Sequence, residues 1–155
     1  MTMKEKMNVK LCNRISALLM ALLVLCQFMP YWHYGAADEQ SVSVNEYVWF
    51  PYNHNELTEK LVAHYDEHFI NQVAWPTVGL TVLCALGAVV CFWKSQNAGM
   101  SILPILTGLF GLWFYLTTPA MKLGSIWWLH VLVLALMTLT GIAGMVMRKK
   151  TKQTK

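Results

Sequence analysis

The sequence predicts an all-α membrane protein, a four-helix transmembrane bundle with a small external cap made of a short β element and one amphipathic helix. Three observations predict it. First, 56% of the 155 residues are hydrophobic and only 13% are charged, against roughly half and a quarter in soluble domains. Second, the windows 15–32, 73–93, 100–118 and 125–147 contain no Asp, Glu, Lys or Arg. Each can cross about 30 Å of hydrocarbon as a helix. Third, charge is partitioned along the chain. Lys4, Lys6, Lys10 and Arg14 precede the first window against Glu5 alone. Arg148, Lys149, Lys150, Lys152 and Lys155 follow the last.

The windows must be helical because hydrocarbon offers no partner to an open backbone, and they lack the polar–apolar alternation of barrel strands. Basic flanks stay cytoplasmic. The expected location is therefore the cell membrane, with tails 1–14 and 148–155 both cytoplasmic and loop 33–72 external. That loop carries Asp38, Glu39, Glu46, Glu56, Glu59, Asp66 and Glu67 against Lys60. Aromatic residues agree with this orientation. Tyr31, Trp32, Tyr34, Trp75, Trp113, Tyr115, Trp127 and Trp128 fall near the outer level and Trp93 near the inner, where amphipathic rings prefer to lie.

The first helix is expected to end near Pro30. Its basic start, apolar core and the following Gly35, Ala36 and Ala37 also fit a cleaved signal peptide. The intervening Tyr-Trp-His-Tyr run favours an anchored helix end. The short connections KSQNAG and PAMKLG make the last three helices antiparallel neighbours. Pro76, Pro104 and Pro119 are expected at helix ends. In the loop, 41–50 reads as a strand rich in β-formers and needs a pairing partner, expected near Trp32–Ala37. A helix follows from Asn53 or Asn55 to about Ile70. Projected at 100° per residue, it gathers His64, Leu57, His68, Leu61 and Tyr65 on one arc, with Glu56, Glu59, Asp66 and Glu67 opposite. It reads as an amphipathic lid whose acidic side offers an interaction surface.

The candidate chemistry is sparse. His64 and His68 stand at helical spacing for one metal, with His54, His33 or an acid as third ligand. The segment is His-Tyr-Asp-Glu-His, however, and not the metalloprotease His-Glu-x-x-His. Two amphipathic side chains at an interfacial edge account for the pair, so no metal and no other cofactor is expected. The external histidines also suit a pH sensor. His130 is the one readily ionisable side chain within the spans besides thiols and phenols. Such a residue is a functional candidate. Its place just below Trp127 and Trp128 favours a capping hydrogen bond to the external loop.

Cys12, Cys26, Cys84 and Cys91 all lie in or beside helices, so no loop disulfide is expected. Gly108 and Gly111, and Ala135, Thr138, Gly141 and Gly144, form small-residue stripes that suit helix packing within the chain. No nucleophile motif and no phosphate loop is present.

The long first loop followed by three tightly connected helices resembles the claudin-like tetraspan architecture in topology. The loop has no cysteine, and Gly111-Leu112-Trp113 lies within the third helix, so no residue role carries over. The expectation is a non-enzymatic accessory or interaction protein, with the lipid bilayer and a protein met through the external loop as partners, and no nucleic acid. The alternatives are a small transporter or channel component, or an external metal or pH sensor.

Overall fold

The computed structural model describes residues 3–34, 40–44 and 69–153. Four helices are long and apolar enough to span a membrane, over Met7–Cys26, Trp75–Trp93, Ala98–Thr117 and Trp127–Met147. Helix α1 (Met3–Cys26) leads into a hairpin of β1 (Pro30–Tyr34) and β2 (Gln40–Ser43). Helix α2 (Phe69–Trp93) follows. A 3-10 turn, Ala98–Ser101, then leads into α3 (Ile102–Thr117). A one-turn helix, α4 (Pro119–Lys122), precedes α5 (Trp127–Gln153).

The long helices run alternately up and down. Helix α1 packs on α2 and α5, and α3 packs on α5 and more lightly on α2. The bundle thus has a hairpin end, where β1 and α4 lie, and a basic end, where α1 starts and the α2–α3 turn sits.

Several boundaries depart from the sequence expectation. The first helix ends at Cys26, and Pro30–Tyr34 is strand. The apolar span correspondingly starts earlier and takes in Lys10 and Arg14. Long basic side chains near a helix end can carry their charge toward the surface while their stems stay in the span. Pro76 lies inside α2, because that helix begins already at Phe69. The strand expected over 41–50 is present at its start, paired antiparallel with β1. The predicted lid helix lies outside the described residues, apart from Phe69 and Ile70, which belong to α2.

Helices α3 and α5 approach closely through glycine. A Cβ on Gly141 would sit 2.9 Å from the Ser101 carbonyl oxygen and 2.7 Å from Ile105 Cγ1. A Cβ on Gly108 would strike the Thr138 hydroxyl, which is folded back onto the Leu134 carbonyl at 2.9 Å. The small-residue stripes therefore serve packing inside the chain. Large apolar side chains such as Leu18, Leu86, Leu106 and Leu139 face outward.

At the basic end, Asn13 of α1 is fully buried and ties the α2–α3 turn. Its Nδ2 donates to the Ser95 carbonyl at 2.8 Å and to the Asn97 carbonyl at 3.1 Å. Its Oδ1 accepts from Ser101 Oγ at 2.8 Å. Both amide hydrogens are thus used on carbonyls of the α2–α3 turn, of which that of Asn97 also accepts the Met100 N–H at 3.0 Å. Asn13→Leu removes all three bonds and is expected to destabilise the fold by about 2–4 kcal/mol. Asn13→Asp, which keeps an acceptor for Ser101 but loses both donors, should also destabilise. Unfolding by titration with a denaturing detergent in mixed micelles checks both variants.

Candidate functional site

The hairpin end is assembled around β1. The pairing register shifts between Pro30 and Trp32, so one extra residue, Tyr31, stands in the strand. Successive strand residues normally face opposite sides. A bulge reorients them, and Tyr31 and Trp32 are both fully buried. The Tyr31 carbonyl accepts the Ser125 N–H at 2.8 Å and Ser125 Oγ at 3.1 Å.

Both rings then serve the carbonyls of α4. Four residues are too few for a helix to satisfy its own ends. Tyr31 donates its hydroxyl to the Met121 carbonyl at 2.6 Å, and Trp32 Nε1 donates to the Ala120 carbonyl at 3.0 Å. Gly124 lies against the Tyr31 ring, which any Cβ there would strike. The end of α3 is closed in the same way, with Trp127 Nε1 donating to the Tyr115 carbonyl at 2.8 Å. Burial raises the Tyr31 phenol above its ordinary value. Its contribution to stability is therefore full at neutral pH, and it declines only as pH rises past about 10, where the unfolded phenol ionises.

His130 sits in the first turn of α5, fully buried. Its ring stacks on Tyr115, with centroids 5.0 Å apart and planes at 17°. Tyr31 meets it edge-on at 5.2 Å. His130 Nδ1 lies 3.2 Å from the Ile126 carbonyl, which has only lone pairs to offer. Nδ1 therefore carries the ring hydrogen, and Nε2 presents a bare lone pair. This bond goes to Ile126, just before α5 begins, and β1 contributes the Tyr31 ring, where the sequence suggests a capping hydrogen bond to the external loop.

His130 Nε2 has no hydrogen-bond partner, and neither do Gln27 Nε2, Thr77 Oγ1 or the Tyr115 hydroxyl, all buried. These are the buried unpaired side-chain polar atoms among the described residues. They come one each from the turn after α1, from α2, from α3 and from α5, and all four lie in the hairpin half of the bundle. The Thr81 hydroxyl lies beside both the Gln27 amide and the Thr77 carbonyl, 2.8 Å from the latter, and its single hydrogen serves one of them at a time. The groups left unpaired here are the Gln27 amide nitrogen, the Thr77 and Tyr115 hydroxyl oxygens and the His130 ring nitrogen Nε2.

Sequence reasoning singled out His130 but not Gln27, Thr77 or Tyr115. A polar residue within an apolar window was the signal for the first two. Tyr115 was assigned to the interfacial belt with Tyr31 and Trp32, and all three belong to the interior. Trp75, Trp113, Trp128 and, at the other end, Trp93 are exposed as a belt requires.

His54, His64, His68, Glu56, Glu59, Asp66 and Glu67 lie outside the described residues. Among the described residues, no three His, Cys, Asp or Glu side chains gather as metal ligands. No family model matches the chain, and no curated protein or solved structure is significantly similar to it.

The two tyrosines should respond oppositely to loss of their hydroxyls. Tyr31→Phe abandons the Met121 carbonyl and should cost about 1–2 kcal/mol. Tyr115→Phe removes a buried, unpaired hydroxyl and should be neutral or stabilising by about 1 kcal/mol. Thermal unfolding of both variants in one detergent checks the contrast.

Proposed function

We propose that the chain is an integral protein of the cell membrane, crossing it four times with both termini in the cytoplasm and loop 33–72 outside. In this reading it acts without catalysis and without a cofactor, as an accessory or interaction protein. A protein partner meets the loop through the acidic side chains Glu56, Glu59, Asp66 and Glu67, and no nucleic acid is involved.

The observation that supports this reading best is closure of the bundle at both ends. Asn13 ties one connection and Tyr31 with Trp32 ties the other. A bundle tied in this way makes a firm scaffold for the segment between β2 and α2, its longest connection. Basic flanks at the end opposite the hairpin support the orientation.

Two experiments test the reading. Reporter fusions within 45–68 should be active only on the outer side, and activity in the cytoplasm would refute the orientation. Cross-linking followed by co-purification should yield a discrete partner with the intact chain. That partner should be lost when Glu56, Glu59, Asp66 and Glu67 are all changed to their amides. Recovery of the same partner with the neutralised loop would sink the interaction reading.

One observation favours a second reading, a small transporter or channel component. Four buried side-chain polar atoms without partners, one of them on His130, lie in the hairpin half among the described residues. Proton or small-solute flux into liposomes containing the purified chain, abolished by His130→Ala, would establish it. No flux above empty liposomes would exclude a pathway through the single chain.

A further inference from the structure

A groove of about 1080 Å³ opens between α1 and α2 at the basic end. Its lining is ordered by polarity. On α1, Lys10, Arg14, Ala17, Leu18 and Ala21 contribute to it, a spacing that places them on one helical stripe. The cations come first, and the small apolar residues lie deeper toward the middle of the bundle. On the other wall, α2 runs the same gradient in reverse, from Ala88 and Val89 through Phe92 to Lys94 just past its end. Both walls thus pass from apolar to cationic in the same direction. From Lys10 to Ala21 the stripe runs about 16 Å along the helix axis.

Three cations, Lys10, Arg14 and Lys94, border the groove, and no carboxylate does so among the described residues. The Arg14 guanidinium lies 5.4 Å from the centre of the Phe92 ring, which bridges the two walls. A ring contact of this kind engages the guanidinium face. Its edge N–H groups remain suited to two-point binding of a phosphate. Ala17 forms a buried floor, while Leu18, Val89 and Phe92 are exposed along the flanks. The groove is therefore open sideways, toward the surroundings of the bundle, along its apolar length.

We infer that this groove is a binding site for one anionic phospholipid, with the headgroup phosphate held by Arg14, Lys94 and Lys10 and an acyl chain lying over Ala17, Ala21 and Ala88. Charge complementarity selects the occupant. A neutral lipid leaves three cations uncompensated, and a free phosphate ion leaves the apolar length of the groove empty. Basic pockets between membrane helices take acidic headgroups for the same reason. The inference rests on the membrane reading proposed above. It adds a defined lipid site to the general attraction of the basic tail for an acidic surface.

Membrane integration is tested first by carbonate extraction. A chain released into the supernatant refutes the membrane reading and this site with it. For a chain retained in the membrane, native mass spectrometry in detergent tests the site alone, with phosphatidylglycerol or phosphatidylcholine added. The expected result is one retained phosphatidylglycerol per chain, favoured over phosphatidylcholine by about tenfold or more. The double variant Arg14→Gln, Lys94→Gln should lose that preference. Ala88→Leu, which narrows the groove with all charges intact, should weaken retention several-fold. A variant neutralised at Lys149 and Lys150 should retain the lipid as the unaltered chain does.

Equal retention of both lipids would overturn the site. So would a preference that survives the double variant, one that disappears with the tail charges alone, or displacement by inorganic phosphate at equal concentration.

Discussion

Four helices among the described residues are long and apolar enough to span a membrane, and hydrocarbon offers no hydrogen bonds to a backbone. Within a helix each amide is answered four residues away, so a long apolar segment is self-sufficient. The difficulty falls on the turns, where carbonyls have no helical partner. At each end of this bundle, side chains from elsewhere in the sequence supply what the turn lacks. Asn13 answers Ser95 and Asn97 across the basic end. Tyr31 and Trp32 answer Met121 and Ala120 across the hairpin end. The α2–α3 and α3–α5 connections stay short because another part of the chain completes them.

This places α1 and the strand after it at the centre of the fold. The last three helices are joined by short connections, and proximity along the chain alone makes them neighbours. Helix α1 is separated from α2 by the long loop, yet it packs on both α2 and α5. Its polar side chains make that docking specific. Ser16 meets Thr140 of α5 at 2.9 Å, and Asn13 meets the connection between α2 and α3. Apolar contact between helices gains little in lipid, since the tails are as apolar as leucine. A few polar contacts, with close approach at Gly108 and Gly141, therefore set which helix faces which.

The spans were legible because an apolar, charge-free window of about twenty residues matches the thickness of a bilayer and is seldom needed inside a soluble core. The hairpin was legible in part, since a lone strand needs a partner and the aromatic run before the loop was the available one. What escaped the sequence was the inward turn of that run. Tyr31 and Trp32 look like interfacial anchors by position, but a one-residue bulge and hydrogen bonds to the carbonyls of α4 hold them inside. Asn13 escaped because it stands among basic residues and read as part of a tail. Periodicity reports which face of a helix is apolar. It does not report which turn of a distant connection will need a donor. His130 was visible as a solitary ionisable residue, whereas its stacking on Tyr115 depends on how α3 meets α5.

The two ends consequently differ in what they can still bind. At the basic end, Asn13 spends both amide hydrogens and its oxygen within the chain, and the outward groove lies beside it. At the hairpin end, four buried side-chain polar atoms among the described residues lack partners. His130 is held by Ile126 and by two aromatic rings, and Gln27 is held through Thr81. An unpaired buried polar group costs about 1–3 kcal/mol. A polar molecule admitted there, or a slight parting of the helices that lets water in, would recover part of that free energy. The hairpin half is thus where the bundle gains most from a polar guest.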